Sequence, residues 1–225
     1  MIFDPGTGFL DTPPYGNNSG LSRQRSKVRA ASSDNKTHRD TDARTAGWHL
    51  LLSAYHRHMG FYEPVIRALN EAQVRYVVVG GLAVVLHGYA RLTVDLDLAV
   101  DLEPSEATKA IDSLLALDLR PTAPVDPAGF ADATTREQWT REKNMEVFSL
   151  TDPADPLRQV DLFVREPIPF QELWSRSSLV SIGETTVARI AAISDLIRMK
   201  TEVGRPQDIA DIDALKTIEQ SRNHG

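Results

Sequence analysis

From Phe61 onward the chain switches between two apolar periods, and the switches mark its elements. Phe61, Val65, Ile66 and Leu69 recur at helical spacing and predict a helix ending near Asn70. Val74 to Val79 is a short β-branched run bounded by Gly80-Gly81, the pattern of a buried strand. Leu82 to Leu86 predicts a short helix with Gly88 as its C-cap. From Arg91 to Val100 polar and apolar residues alternate, which predicts a half-buried strand at about 93–100. Thr93, Asp95 and Asp97 then share one face, and Val94, Leu96, Leu98 and Val100 pack inward. Pro104 opens a helix with Ala107, Ile111, Leu114 and Leu115 on one side. No period is readable from Pro121 to Arg141.

Beyond that gap, Met145 to Leu150 and Gln159 to Val164 predict strands joined by the turn-rich 152–156. Leu179–Ile182 and Thr185–Ile190, split by Gly183, predict a hairpin. Ser194 is the expected N-cap of a helix through about Val203, closed by Gly204. Pro206 fits the first turn of a last helix carrying Ile209, Ile212, Leu215 and Ile218. This order predicts an α+β fold, with a small mixed sheet flanked by helices and a helical tail over 192–221.

Residues 1–45 are rich in Gly, Pro, Ser, Asn, Asp and Thr and have no apolar period, so residues 1–58 read as a disordered extension before a domain at 59–225. Met59 is an alternative start, because organised sequence follows it directly. Charge divides at the same place. Residues 1–58 hold eight Lys/Arg and five Asp/Glu, whereas 59–225 hold 17 and 26. An acidic domain is a poor general binder of nucleic acid. The basic stretch Arg23 to Arg29 reads as a solvated tail or a weak nucleic-acid or partner contact. There is no cysteine, so thiolate metal sites are excluded. No apolar run approaches the roughly 20 residues of a membrane span, and no secretory signal is visible, which makes the cytoplasm the expected compartment.

Two carboxylates two positions apart on a strand repel each other, so Asp95 and Asp97 call for a cation between them, most naturally a divalent metal. Gly80-Gly81, at a strand–helix junction, lets the backbone approach a phosphate closely. Asp161 lies on the polar face of the run Val160 to Val164 and would complete a two-metal carboxylate set, as well as accept a proton from an incoming hydroxyl. Asp101, on the same face as Asp97, competes for that third place. His87 reads as a helix-end residue satisfying carbonyls rather than a ligand, and Trp139 and Trp174 as core anchors. Thr93 is either a plain strand residue or a substrate contact, and Arg91 either a surface charge or a phosphate contact.

Gly80-Gly81-Leu82-Ala83, His87-Gly88, Arg91, Thr93 and Asp95-x-Asp97 together resemble the polymerase-β-like nucleotidyltransferase superfamily, and within it the small bacterial abortive-infection and toxin-type nucleotidyltransferases. The resemblance spans about 60–220 and includes Asp195 to Lys200, Gly204 to Asp208, and Asp211. It implies phosphates held at the glycine pair and Mg²⁺ (two ions, or Mn²⁺) on Asp95, Asp97 and Asp161. It also implies that Lys200 and Asp208 line the nucleotide site, with Arg205 as a forked donor; the alternative reading pairs the three with one another across the turn. The implied substrate is a nucleoside triphosphate. The acceptor is open among an RNA 3′ end, a protein and a small molecule, and an antitoxin protein is an implied partner. The rival readings are a non-catalytic nucleotide- or partner-binding module and a metal-dependent nuclease or phosphohydrolase.

Overall fold

The computed structural model describes residues 60–223, so the expected extension over 1–58, its basic stretch and the alternative start at Met59 lie outside the described residues. The first helix, α1 (60–71), buries Tyr62, Val65, Ile66 and Leu69. It is fastened to the segment at 186–187 by polar bonds. Thr186 Oγ1 donates to Glu63 at 3.0 Å, and Asn70 Nδ2 donates to the Val187 carbonyl at 2.8 Å.

After α1 come β1 (Tyr76–Val78), α2 (Gly80–Leu86), β2 (Asp95–Val100), α3 (Pro104–Leu115) and the short β3 (Arg120–Pro121). A 3-10 turn (Pro127–Ala131) and α4 (Ala133–Lys143) lead into the hairpin β4 (Val147–Asp152) and β5 (Asp155–Phe163). Helix α5 (Phe170–Arg176) precedes the second hairpin, β6 (Ser178–Ile182) and β7 (Thr186–Ile190), and the chain closes with α6 (Ile193–Val203) and α7 (Pro206–Asn223). The seven strands form one sheet in the order β3-β4-β5-β2-β1-β7-β6. β2 runs antiparallel to β1 and parallel to β5, and β1 runs parallel to β7, so the sheet is mixed. The α+β expectation, with flanking helices and a helical tail, is met.

Leu96, Leu98, Phe148, Leu150, Val160 and Leu162 occupy one face of β2, β4 and β5 and are almost wholly buried. Trp139 from α4 stacks on Phe148 with centroids 5.4 Å apart, and Phe130 from the 3-10 turn lies 5.6 Å from the same ring. With this face sealed, the acidic residues of β2 and β5 are left on the other.

One unassigned stretch is filled in and three sequence expectations are corrected. The stretch from Pro121 to Arg141 holds a 3-10 turn and α4, the latter capped by Asp132, whose carboxylate accepts from the Thr135 amide at 2.7 Å. Ser194 is not an N-cap, because α6 begins one residue before it with Ala192 as N-cap. Gly88 is not the C-cap of α2; His87 is, with Gly88 following at φ +116°. Ile209 is 57% exposed because the buried stripe of α7 runs through Asp208, Asp211 and Leu215, at helical i, i+3, i+7 spacing. Gly204 does close α6 in the left-handed region, at φ +68°.

Candidate active site

The parallel pairing of β2 with β5 puts Asp97 directly beside Asp161 and Asp95 beside Gln159. β4 adds Ser149 opposite Asp161. Asp161 is buried, and the Gln159 amide donates to both its oxygens at 2.9 and 3.0 Å. Burial raises its pKa, with Asp95 adding to the effect, against the hydrogen bonds from Ser149 and Gln159. The Asp97 carboxyl is pushed up to about 6, first by burial and then by the charges of Asp161 and Asp95. A 3.4 Å bond from the Gly81 amide and the Lys200 charge offset only part of this. Asp97 and Asp161 are therefore under-neutralised by the protein itself. Tyr62 on α1 also borders the row. Its hydroxyl donates to the Thr93 carbonyl at 3.3 Å, and burial followed by the Asp95 and Asp97 charges raises its pKa.

The glycine pair is packed against this row. Gly80 has φ +58°, and a Cβ there would fall on the Asp97 carboxylate. A Cβ at Gly81 would meet the Thr93 hydroxyl and the Arg91 guanidinium. Close approach thus requires glycine at both positions. Gly80, Gly81, Arg91, Thr93, Asp95, Asp97 and Asp161 form one neighbourhood.

Lys200 and Asp208, both buried, and the exposed Arg205 adjoin it as a charge network. Lys200 Nζ lies 3.2 Å from Asp208 and 2.6 Å from Asp211. Asp211, fully buried, also pairs with Arg91 Nε at 3.1 Å. Asp208 binds Arg205 Nε at 2.8 Å and the Arg205 amide at 3.1 Å. Burial raises the Asp208 pKa, but the Arg205 and Lys200 hydrogen bonds outweigh it and hold the carboxyl below its ordinary range. The pairing across the α6–α7 turn is thus present: Lys200 and Asp208 are buried in it, whereas Arg205 closes it from the exposed side. The network still points at the acid row, since the Lys200 and Arg205 charges both interact with Asp97.

The remaining candidates fall elsewhere. Asp101, just past the end of β2, is paired with Arg75 at 2.6 Å, and its other oxygen accepts from the Glu103 amide. His87 Nε2 lies 2.8 Å from the Ala191 carbonyl, and burial lowers its pKa, so the neutral ring donates there. Trp139 is a core residue. Trp174 is half-buried, with the guanidinium groups of Arg75 and Arg189 at 5.0 and 4.0 Å from its ring. Sequence reasoning did not assign site roles to Tyr62, Ser149, Gln159 or Asp211. The signal for Tyr62 was its place on the apolar side of α1, and for Gln159 and Ser149 the strand alternation that already marked Asp161.

The donor set suits a hard cation. Among the described residues no three acidic or histidine side chains already converge closely enough to hold a metal by themselves. Mg²⁺ rarely uses an all-protein cage and takes one or two carboxylates together with substrate phosphates. An open acidic row beside a glycine pair fits that habit, and the raised Asp97 pKa shows a charge deficit that a cation would relieve.

No family model matches the chain, and no curated protein matches it. Solved structures with a similar arrangement include the antibiotic-resistance factor ANT(2'')-Ia, at 12% identity and TM-score 0.47, covering 72% of this chain and 83% of that one. The lincosamide antibiotic adenylyltransferase LnuA, lincomycin-bound, matches at 17% identity and TM-score 0.48, covering 71% and 96%. An antigenic nucleotidyltransferase-like protein from Paracoccidioides brasiliensis matches at 16% identity and TM-score 0.46, covering 71% and 75%. At these identities no residue role is carried across.

Proposed function

We propose that the chain is a nucleotidyltransferase that moves a nucleoside monophosphate from a nucleoside triphosphate to an acceptor and releases pyrophosphate. The observation that carries this reading is the register of β2 on β5, which sets Asp97 against Asp161 with Asp95 one pleat away, beside a glycine pair that only glycine can form. In this reading Gly80 and Gly81 let the phosphates lie close to the backbone, while Arg91 and Arg205 supply guanidinium donors at the edges of the acid row. Asp161, oriented by Gln159 and Ser149, accepts the proton of the acceptor hydroxyl. The acceptor oxygen forms a bond to the α-phosphorus in line as the bond to the β-phosphate oxygen breaks, and that electron pair leaves with pyrophosphate. Asp95, Asp97 and Asp161 are the residues that would hold Mg²⁺ or Mn²⁺, and the chemistry such ions supply is a lowered hydroxyl pKa and neutralisation of the departing charge.

The same proposal takes 59–225 as the catalytic domain and includes a toxin role with an antitoxin partner, which rests on the motif resemblance. No described helix is long and apolar enough to cross a membrane. The test is pyrophosphate release with Mg²⁺ and each triphosphate over RNA, protein and small-molecule acceptors. Asp95→Ala and Asp97→Ala are expected to abolish release with the fold intact, and undiminished release in both would overturn the proposal. Triphosphate binding with no release over the whole panel would favour a non-catalytic nucleotide-binding module.

A further inference from the structure

We propose that Asp211 is a positioning residue for the triphosphate: from α7 it holds Arg91 in the place where it serves the glycine pair, while Lys200, which it also meets, stays tied to Asp208. The inference rests on the phosphate-binding reading above. Asp211 has no exposed surface, yet it is charged and meets two cations, Arg91 Nε at 3.1 Å and Lys200 Nζ at 2.6 Å. A third group, the Gln207 amide, donates to it at 3.2 Å.

The α6–α7 hairpin does not need Asp211 to close. Gly204 turns the chain, and Asp208 already ties Lys200 and Arg205 together across the turn. What Asp211 adds is a link out of the hairpin to the segment between α2 and β2. There Arg91 Nη1 donates to the Leu92 carbonyl at 3.1 Å, and Nε faces Asp211. That leaves Nη2 packed at Gly81 without a hydrogen bond among the described residues. The guanidinium is thus bonded through Nη1 and flanked at Nε by the Asp211 charge, while Nη2 stays at the place where phosphates are expected. A second tie acts in the same direction, since Arg222 near the end of α7 donates to the His87 carbonyl at 3.1 Å. α7 grips both ends of the segment that runs from α2 to the acid row.

A residue that merely glued helices together would affect stability and leave the coupling to Arg91 untouched. The discriminating measurement is a double-mutant cycle on full-length protein, read by titration calorimetry with inorganic tripolyphosphate in Mg²⁺ and repeated with ATP. Arg91→Gln and Asp211→Asn are each expected to weaken binding about tenfold or more, and the double variant to stay within about threefold of Arg91→Gln, because the two act as one unit. Asp211→Glu, which keeps the charge, is expected to recover more binding than the better isostere Asp211→Asn. If Asp211→Asn does not fold, the double variant, which leaves no lone Arg91 charge, is compared directly with Arg91→Gln. Wild-type binding in Asp211→Asn, or a double variant showing the product of the single losses, overturns the proposal while leaving the phosphate site standing. A wild-type protein that binds neither probe overturns the phosphate site itself, and Asp211's role with it.

Discussion

Neutralising Asp97 is expected to stabilise the metal-free protein while removing a group essential to its proposed chemistry. The folded-state pKa is about 6 against an ordinary 3.8, a rise of about two units. At about 1.36 kcal/mol per unit, the ionised carboxylate costs the fold about 3 kcal/mol once it is fully charged. A raised acid destabilises only where the unfolded chain has ionised and the folded one resists. The cost is therefore absent below about pH 4, grows from there to about pH 6, and is complete above it. Asp97→Asn removes the charge and keeps an oxygen for the Gly81 amide. For a domain of this size about 3 kcal/mol corresponds to about 6–12 °C in Tm. Urea unfolding and calorimetry of both proteins in EDTA, from pH 4 to pH 8, give the comparison directly. The two should converge at pH 4 and separate in favour of the variant above pH 6. Millimolar Mg²⁺ should narrow the gap by stabilising the wild type more. A variant no more stable than wild type at pH 8 in EDTA would refute the claim that burial and like charge strain this position.

Other expectations follow from the same geometry. Gly81→Ala should weaken ATP binding at least tenfold and cost about 1–3 kcal/mol of stability, because its Cβ displaces Thr93 and Arg91; unchanged binding by calorimetry would refute the close packing. Asp101→Asn should keep pyrophosphate release within about twofold and lower Tm by a few degrees through the lost Arg75 pair, whereas loss of release would return Asp101 to the metal set. A chain beginning at Met59 should match the full chain in Tm and in ATP binding, since the α1 anchors at Glu63 and Asn70 lie within the described domain. Expression in a bacterial host should slow growth, and Asp95→Ala with Asp97→Ala should relieve that effect; equal growth inhibition by the double variant would separate toxicity from the proposed chemistry.

The acid row was legible because a strand buried on one face writes its orientation into a two-residue alternation, so Asp95, Asp97 and Asp161 could be assigned a face before their neighbours were known. Their pairing was not legible, since which strand lies beside β2 is decided by contacts far apart in the chain. α4 was missed because its buried residues include Arg136, which donates to the Phe130 carbonyl at 2.5 Å, so the helix shows no apolar stripe. The same cause hid the inner face of α7, where Asp208 and Asp211 occupy positions that a periodicity argument reserves for Ile or Leu. Ser194 failed as a cap for a local reason. β7 runs almost directly into α6 through Ala191 and Ala192, so the helix is set by its attachment to the sheet rather than by a capping side chain.

The parallel register of β2 on β5 also makes folding a proofreader of the site. A slip of one residue in either strand would exchange its two faces, carrying Asp95 and Asp97, or Asp161, into the layer occupied by Leu96, Leu98, Val160 and Leu162. Each unpaired carboxylate placed there would cost several kcal/mol, comparable with the whole stability of a domain this size. Misregistered chains are thereby excluded from the folded population, and every molecule that completes its core emerges with its acids already aligned.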